Sequence, residues 1–235
     1  MTSAALVVLP TYNEVENLER VARSVRERGH AVLVVDDGSE DGTGEMADRL
    51  AAADSGITVI HRPGKLGLGS AYVQGFQKGL ALGHDLFVEM DADGSHRIEH
   101  LDAIIAAARS GGGIGLGSRY VAGGSVTGFG AHRRFLSWAA NVYCRALLGL
   151  AVNDCTSGYR CYTRQVLEAI NLERVISDGY SFQIEMVYRA TRKGFRVVEV
   201  PIQFVDRVAG TSKVSGGEIW DDLLNVVRMR LRRGD

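Results

Sequence analysis

The first half of the chain alternates short apolar segments with longer amphipathic ones, and this alternation limits the possible folds more than any other feature. Ala4–Leu9 is an unbroken apolar run that stops at Pro10, as is typical of a strand buried on both faces of a parallel sheet. Val15–Arg28 follows with apolar side chains at helical spacing and stops before Gly29, a common helix-ending residue. Repeated units of this kind predict an α/β protein with a mostly parallel sheet and helices on both faces.

The same criteria divide the rest of the chain into strands and helices. Further strands are predicted at Ala31–Val35, Ile57–Ile60, Leu86–Met90, Ile114–Leu116, Phe195–Val200 and Ile202–Val205. Further helices are predicted at Thr43–Ala53, Leu68–Leu82, Ile98–Ala108, Arg133–Leu148, Arg164–Ile170, Phe182–Arg192 and Glu218–Arg233. Arg119–His132 is rich in Gly, Ser and Thr, which indicates a loop longer than the usual connection. No repeat or linker-like segment interrupts the sequence, so we expect one domain over residues 1–235.

Composition and charge exclude several classes of protein. Apolar residues make up 46% and charged residues 23% of the chain, and 27 basic side chains balance 28 acidic ones for a net charge of -1. A general nucleic-acid-binding protein would be strongly basic, and a disordered chain would be poorer in apolar residues. We find neither a secretory signal nor an apolar stretch of the ~18 residues that a membrane span needs. The three cysteines are an odd number and too few for a disulfide framework, so we expect a cytoplasmic protein. From the balanced charge we expect that it binds no nucleic acid.

Acidic residues gather at the ends of the predicted strands, where an open parallel sheet binds its ligands. Asp36 and Asp37 follow one strand, and Asp91 and Asp93 follow another. Because residues i and i+2 of an extended segment point the same way, the carboxylates of Asp91 and Asp93 converge and need a cation between them. Oxygen ligands without a nearby Cys or His pair favour Mg²⁺ or Mn²⁺ over zinc. Such ions complete their coordination with ligand phosphates, so the pattern predicts a nucleotide diphosphate at this edge.

A glycine-rich segment at residues 64–70 gives a second indication of phosphate binding. It lacks the residue order of a P-loop, and no G-x-G-x-x-G follows the first strand, so neither nucleoside-triphosphatase chemistry nor a dinucleotide site is predicted. Glycines at a helix start still allow a ligand to approach the backbone closely, and Lys65 is available for its phosphate.

A series of motifs runs through the chain in a fixed order. Its members are PTYNE (residues 10–14), VVDDGS (34–39), KLGLGSA (65–71), MDAD (90–93), GSRY (117–120), TSGYR (156–160), EVPI (199–202), VDR (205–207) and TSK (211–213). Over residues 4–220 the chain resembles the family 2 glycosyltransferases with the Rossmann-like GT-A fold, and among them the polyprenol-phosphate (dolichol-phosphate) mannose synthases. The resemblance implies inverting, metal-dependent transfer of mannose from GDP-mannose to polyprenyl or dolichyl phosphate, by a protein peripheral at the cytoplasmic face of a membrane.

The resemblance also implies roles for individual residues. Asp91 and Asp93 would hold the metal ion with Ser95, which stands where many relatives carry Gln; a water molecule or His96 is the alternative to Ser95. Together with Lys65, the nucleotide-sugar site would comprise Pro10, Tyr12, Glu14, Asp37, Asp91, Ala92, Arg207 and Lys213. The catalytic set would be Asp93, Arg119 and Arg133, with the arginines on the acceptor phosphate or the donor diphosphate. Residues 1–118 would then be the nucleotide- and metal-binding half, 119–215 the acceptor-binding half and 216–235 a C-terminal amphipathic helix.

A phosphate acceptor fits the charge distribution in the middle of the chain. A phosphate monoester is largely a dianion at pH 7 and is nucleophilic without a strong base, so its site needs cations that align it. Between Arg119 and Arg164 the sequence has six arginines and one acid, Asp154. Arginine suits planar, bidentate recognition of phosphate, although Arg145 and Arg164 are better explained as parts of a solvated helix face.

Several alternatives remain open from the sequence. Val121–Ala131 is either an ordinary loop or a lid over the acceptor. Helix Glu218–Arg233 either packs on the core or lies on a membrane surface with its terminal arginines as anchors. The rival functions are a polyprenyl-phosphate glucosyltransferase that uses UDP-glucose and a non-catalytic partner subunit of the same fold. Whether a membrane-spanning partner holds the chain at the membrane is also left open.

Overall fold

A seven-stranded mixed sheet lies at the centre of the protein, whose computed structural model describes residues 4–175, 177, 179–205 and 216–231. The strands are β1 (Leu6–Thr11), β2 (Ala31–Asp36), β3 (Ile57–His61), β4 (Leu86–Glu89), β5 (Gly113–Ser118), β6 (Ser125–Thr127), β7 (Arg160–Thr163), β8 (Arg196–Pro201) and β9 (Gln203–Val205). The helices are α1 (Val15–Glu27), α2 (Thr43–Ala53), α3 (Leu68–Ala81), α4 (Leu101–Gly111), α5 (Ala131–Leu148), α6 (Arg164–Ile170), α7 (Gly179–Arg192) and α8 (Gly216–Leu231). The sheet has the order β3-β2-β1-β4-β7-β5-β8, and β6 pairs with β9 in a separate two-stranded sheet. The predicted α/β class with a mostly parallel sheet is confirmed.

Helices cover both faces of the sheet because alternate strand residues point to opposite sides. On β1, Val7 and Leu9 belong to one buried apolar cluster with residues of α1, α2 and α4. Leu6 and Val8 belong to another, with residues of α3, α6 and α7. These two cores fix β1, β2 and β4 side by side, so that the loops after them meet at one edge of the sheet.

Glycines allow two helices to approach the sheet closely. A Cβ at Gly75 of α3 would lie 2.5 Å from the Val8 side chain, and a Cβ at Gly115 of β5 would lie 2.0 Å from the carbonyl oxygen of Ile104 in α4. Because protein interiors are packed at the density of organic crystals, neither contact leaves room for a methyl group.

One strand of the sheet, β7, runs antiparallel to its neighbours β4 and β5 and was not predicted. Its first residue, Arg160, is fully buried. The guanidinium of Arg160 donates to the backbone carbonyls of Ser157 (2.6 Å), Cys155 (2.7 Å) and Gln183. The charge of Arg160 interrupts the apolar pattern by which buried strands are recognised, so the sequence analysis passed over this strand.

The segment predicted as one loop, Arg119–His132, also contains regular structure. Its residues Ser125–Thr127 form β6, in which Val126 pairs with Phe204 of β9. Helix α5 begins at Ala131, two residues earlier than predicted. The pairing partner of β6 lies far along the chain, so no local pattern could have indicated it.

A third apolar cluster joins α5, α7 and α8. It includes Cys144 and Leu148 of α5 together with Val226 of α8, which is 1% exposed. The predicted C-terminal helix therefore packs on the rest of the protein, although part of its apolar stripe remains exposed (Leu224, Val227 and Leu231). Among the described residues, no helix has both the length and the hydropathy to cross a membrane.

Candidate active site

Two loops at the carboxyl ends of β1 and β2 are joined by hydrogen bonds between side chains and backbone. Asn13, in the left-handed conformation (φ 59°), donates its N–H to Ser39 Oγ (2.9 Å) and accepts the N–H of Glu40 at Oδ1 (3.0 Å). Glu14 donates its N–H to Thr43 Oγ1 (2.9 Å). Left-handed residues other than glycine are strained and cluster at functional sites. The motifs at 10–14 and 34–39 thus form one platform.

Residues predicted to bind the nucleotide meet at this platform from two parts of the chain. The ammonium of Lys65 lies 5.0 Å from the centroid of the Tyr12 ring, which is a cation–π distance. Pro10 is half-buried near the end of β1. The Glu14 carboxylate, at the start of α1, accepts a bond from Asn17 Nδ2 (3.1 Å). The structure therefore brings Lys65 to Tyr12, while their contact with a nucleotide stays a prediction.

Asp37 is buried and forms an ion pair with Arg62, which is also buried. The second carboxylate oxygen of Asp37 accepts the backbone N–H groups of Leu66 (3.1 Å) and Gly67 (3.3 Å). Asp37 and Arg62 thereby hold the glycine-rich segment beside the platform. Arg62 was not predicted from the sequence, although its position directly after β3 places it at the same sheet edge as the other residues.

Asp91 and Asp93 follow β4, as predicted, and each is oriented by its neighbours. Asp91 Oδ1 accepts a hydrogen bond from the Tyr72 hydroxyl (3.3 Å), and the Asp91 N–H donates to His96 Nδ1 (2.9 Å). Asp93 Oδ1 accepts the backbone N–H of Ser95 (2.9 Å). Both Ser95 and His96 are buried, whereas the Asp91 side chain is 32% exposed. Hydrogen bonds within the turn at 91–96 and to Tyr72 therefore hold both carboxylates at the edge of the sheet.

The oxygen ligands of Asp91 and Asp93 suit a hard divalent ion that would take its other ligands from elsewhere. No three His, Cys, Asp or Glu side chains among the described residues are grouped so as to hold a metal. Two carboxylates alone leave most of the coordination shell to other oxygens, which is how Mg²⁺ is usually bound beside a phosphate substrate. A water molecule and His96 are the alternatives to Ser95 as a further ligand. The Nδ1 atom of His96 accepts the backbone N–H of Asp91, and its Nε2 atom lies 3.8 Å from Asp91 Oδ2.

A buried carboxyl group, Glu89, lies behind this pair on β4 and was missed by the sequence analysis. Glu89 is fully buried, and burial raises its pKa to about 7 although Arg160 favours the charged form. The same environment raises the pKa of Tyr72, through burial first and then through Asp91 and Glu89. The only sequence signal was an acid inside the apolar run Leu86–Met90.

Arg119, predicted to be catalytic, is buried in an ion pair with Asp154. Its Nε donates to Asp154 Oδ2 (2.7 Å) and its Nη2 to Asp154 Oδ1 (2.7 Å), and the Nη2 also lies 2.8 Å from Thr156 Oγ1. Burial raises the pKa of Asp154, but the charge and hydrogen bonds of Arg119 outweigh it and leave that pKa below its usual range. The one acid in the arginine-rich stretch is therefore the partner of Arg119.

Aromatic rings in edge-to-face contact connect the turn after β4 to the predicted catalytic arginines. The His96 ring, whose Nδ1 binds the backbone of Asp91, lies 6.2 Å from the Phe204 ring, which in turn lies 5.7 Å from the Phe129 ring. The Arg119 guanidinium lies 5.6 Å from the centroid of Phe204, and the Arg133 guanidinium lies 3.9 Å from that of Phe129. Asp91, Arg119 and Arg133 thus belong to one connected assembly. Phe129 and Phe204 were missed because only the folded chain makes them neighbours.

The remaining predicted residues divide into two groups. Ala92 and Ser95 are buried within the turn after β4, at 2% and 4% exposure. Arg207 and Lys213 lie outside the residues that the structure describes. Their assigned roles stay predictions.

A cavity of about 480 Å³ lies elsewhere, among α6, α7 and α8. Its lining includes Arg174, Glu185, Arg189, Lys193 and Arg228, but none of the carboxylates that follow β4. Ligands of open α/β sheets bind at the carboxyl ends of the strands, and the carboxylate pair, the platform and the arginines lie there. We therefore place the candidate active site at the sheet edge rather than in this cavity.

The protein resembles characterised glycosyltransferases in sequence and in fold. Residues 6–170 match the model of Glycosyl transferase family 2. The chain is 48% identical over 237 residues to polyprenol monophosphomannose synthase of Mycolicibacterium smegmatis, covering 98% of this chain and 88% of that protein. It is 46% identical over 228 residues to undecaprenyl-phosphate mannosyltransferase of Micrococcus luteus, covering 96% and 93% of the two chains.

A solved structure gives a likeness of fold alone. Mannosyltransferase PcManGT from Pyrobaculum calidifontis, in complex with GDP-Man and Mn²⁺, is 18% identical to this chain with a TM-score of 0.55. The match covers 98% of this chain and 71% of that one. The GT-A fold predicted from the sequence is thereby confirmed.

Proposed function

The chain belongs to glycosyltransferase family 2, and from this premise we propose that it transfers mannose from GDP-mannose to the phosphate of a polyprenyl monophosphate, with inversion at the sugar carbon. The observation that carries the proposal is the connected assembly of Asp91, Arg119 and Arg133 through His96, Phe204 and Phe129. This assembly combines, in one site, two carboxylates suited to a divalent ion with a bound diphosphate and arginines suited to an anionic acceptor. The names of the two curated relatives support the polyprenyl acceptor.

On the donor side, Asp91 and Asp93 would hold Mg²⁺ or Mn²⁺ against the diphosphate, with Ser95, His96 or water as a further ligand. The bound ion supplies positive charge that stabilises the departing nucleoside diphosphate. The platform residues Pro10, Tyr12 and Glu14 would hold the base and ribose, and Asp37 would contribute there through the segment that it orders. Lys65, beside Tyr12, would meet a donor phosphate.

On the acceptor side, the phosphate needs alignment rather than a strong base. A phosphate monoester has a second pKa of about 6, so it attacks as a dianion and no proton has to be removed. One of its oxygens forms the new bond to the sugar carbon while the bond from that carbon to the diphosphate breaks, and the electron pair leaves with GDP. Arg133 would align the acceptor, and Arg119 would do so in the orientation that Asp154 fixes. Arg207 and Lys213 would add positive charge at the nucleotide-sugar site.

The proposal is tested by incubating the protein with labelled GDP-mannose, a divalent cation and polyprenyl phosphate. We expect a mannosyl lipid, none with UDP-glucose as donor, and a loss of rate of at least about 100-fold in Asp93→Asn, since the metal would lose one of its two carboxylates. The matched control is Asp102→Asn, which removes an exposed carboxylate paired with Arg28 and His30. Mn²⁺ binding in the presence of GDP should weaken in Asp93→Asn and not in Asp102→Asn. Absence of mannosyl lipid with the wild type, or full activity of Asp93→Asn, would overturn the proposal.

A further inference from the structure

The cavity among α6, α7 and α8 is lined mainly by polar and basic side chains. Its volume of about 480 Å³ lies within the range of small-molecule sites, about 300–1,000 Å³. Among the described residues, its lining includes five cations and one acid: Arg174, Arg189, Arg192, Lys193, Arg228 and Glu185. The cations come from the segment after α6, from the end of α7 and from α8. Because like charges from separate elements repel one another, a cavity of this composition favours an anion.

The acid in this lining is already paired within the protein. Glu185 is 3% exposed. Its Oε1 accepts a hydrogen bond from Arg189 Nε (2.6 Å), and its Oε2 accepts the backbone N–H of Ser177 (3.1 Å). Arg189 is oriented further by a bond from its Nη2 to the carbonyl oxygen of Arg174 (2.7 Å). The pair of Glu185 and Arg189 is neutral, so the other four cations give the described lining its positive charge.

Favourable positions at helix ends do not explain the whole cluster. Arg192 lies in the last turn of α7 and Arg228 in the last turn of α8, where the helix dipole stabilises cations. Arg174 precedes α7, however, and its backbone is bound by Arg189. The Arg192 guanidinium lies 5.9 Å from the centroid of the Tyr188 ring, which also lines the cavity. The helix dipoles give no reason for cations from three elements to line one cavity.

The cavity lies away from the candidate active site. Helix α7 ends at Arg192, four residues before β8 begins at Arg196. Arg196 pairs with Gly113, the first residue of β5. The end of α7 therefore lies at the sheet edge where β5 and β8 begin, whereas the carboxylates of Asp91 and Asp93 follow the carboxyl end of β4. A ligand in this cavity would be an additional one and not the sugar donor.

We propose that this cavity binds a soluble anion that carries a phosphate or diphosphate group. Guanidinium groups suit such a ligand because they donate paired, charge-assisted hydrogen bonds to phosphate oxygens. The mainly polar lining favours an anion dissolved in water over a lipid, whose acyl chains need apolar surroundings. The inference goes beyond the proposed function, since binding here requires neither a divalent ion nor transfer of a sugar.

The first test measures binding of inorganic pyrophosphate by isothermal titration calorimetry in the presence of EDTA. The chelator removes divalent ions, so the candidate active site lacks the ion that would hold a diphosphate there. We expect the wild type to bind the probe and Arg192→Gln/Arg228→Gln to bind it at least about tenfold more weakly, because two charge-assisted contacts are lost. Absence of binding by the wild type, or equal binding by the double variant, would refute the proposal.

Two control variants separate this cavity from other causes of anion binding. Arg23→Gln/Arg49→Gln removes two exposed arginines of α1 and α2 and changes the net charge equally. Lys65→Ala removes the cation beside Tyr12. Both should bind pyrophosphate as the wild type does, and all variants should keep the circular dichroism spectrum and melting temperature of the wild type. If either control weakens binding as much as Arg192→Gln/Arg228→Gln does, the probe responds to overall charge or occupies the candidate active site, and the proposal is wrong.

A second test locates the probe in the cavity. Phenylglyoxal modifies exposed arginines, and mass spectrometry of the digested protein measures the modification of each. Pyrophosphate should slow the modification of Arg192 and Arg228, and it should leave that of Arg23 unchanged, whose side chain is 62% exposed. Equal protection of all three arginines, or no protection of Arg192 and Arg228, would contradict binding in the cavity.

Vesicles that contain phosphatidic acid distinguish a soluble phosphate compound from a lipid headgroup. Arg192→Gln/Arg228→Gln and Arg23→Gln/Arg49→Gln should bind such vesicles equally. If only the first variant loses vesicle binding and the wild type binds no pyrophosphate, the cavity receives a headgroup and the proposal of a soluble ligand fails. The calorimetry contains neither metal ion nor sugar donor, so a failure of mannosyl transfer would leave this site in place, and a failure of pyrophosphate binding would leave the proposed function in place.

Discussion

At the scale of single residues, the ion pair of Arg119 and Asp154 shows that some charged groups of the candidate site stabilise its structure, whereas others are proposed to bind a substrate. Asp154 is 0% exposed, and both of its oxygens receive hydrogen bonds from Arg119. Breaking such a buried pair on one side costs far more than breaking an exposed pair, because the remaining charge is left without a partner in a poorly solvated position. Asp154 therefore holds the Arg119 guanidinium in its orientation.

We expect Asp154→Asn to lower the free energy of unfolding by about 3 to 5 kcal/mol at pH 7, because the Arg119 guanidinium stays buried without its counter-ion. The matched control, Asp102→Asn, removes an exposed partner of Arg28 and should cost at most about 1 kcal/mol. Urea denaturation of the three proteins measures both values. A difference of less than about 0.5 kcal/mol between Asp154→Asn and the wild type would contradict a structural role for the pair.

The same pair predicts a pH dependence. Although burial alone would raise it, the pKa of Asp154 lies below its usual range because of Arg119. A carboxyl group with a lower pKa in the folded state than in the unfolded one stabilises the protein above the unfolded pKa, and this stabilisation is lost as the pH falls through the folded value. The wild type should therefore lose stability below about pH 4, and the loss should be smaller in Asp154→Asn. Urea denaturation at pH 7 and at pH 3 measures it, and identical losses in both proteins would contradict the assignment.

At the scale of helices and strands, the sequence predicted those elements that a pattern within their own residues makes recognisable. Helices α2 and α6 have the predicted bounds, Thr43–Ala53 and Arg164–Ile170, since their apolar spacing reflects the face that they bury. Strand β7 was missed because the charge of Arg160 is met by carbonyls that include that of Gln183, 23 residues away. The site followed the same rule: carboxylates at strand ends were predictable, whereas contacts across the fold were not.

Close packing of α4 on β5 gives the prediction at this scale. A methyl group at Gly115 would lie 2.0 Å from the carbonyl oxygen of Ile104, which is backbone and cannot rotate away. Gly115→Ala should therefore force the helix from the sheet and lower the free energy of unfolding by about 3 kcal/mol or more. Gly130→Ala is the matched control, because a Cβ there meets nothing within 4 Å. Thermal melting compares the two variants, and equal melting temperatures would contradict the packing that the structure describes.

At the scale of the whole molecule, the net charge of -1 is an average over two opposed regions. Acids follow β2 and β4 at the sheet edge, where a cation and a nucleotide are proposed to bind, whereas arginines prevail between Arg119 and Arg164. This family 2 glycosyltransferase thus has the charge distribution that the proposed reaction between a soluble donor and a lipid-bound acceptor requires. Arg134 and Arg145 of α5, both exposed, continue the basic region outward.

This division predicts that substitutions in the two regions have different effects. Arg133→Ala, on the acceptor side, should lower the rate of mannosyl transfer at subsaturating polyprenyl phosphate about tenfold, because the acceptor phosphate would lose one aligning cation. Binding of Mn²⁺ in the presence of GDP should stay unchanged in Arg133→Ala, because Asp91 and Asp93 are intact. The matched control is Arg145→Ala, which removes an exposed arginine of the same helix. A loss of Mn²⁺ binding in Arg133→Ala, or an equal loss of rate in Arg145→Ala, would contradict the separation of the two regions.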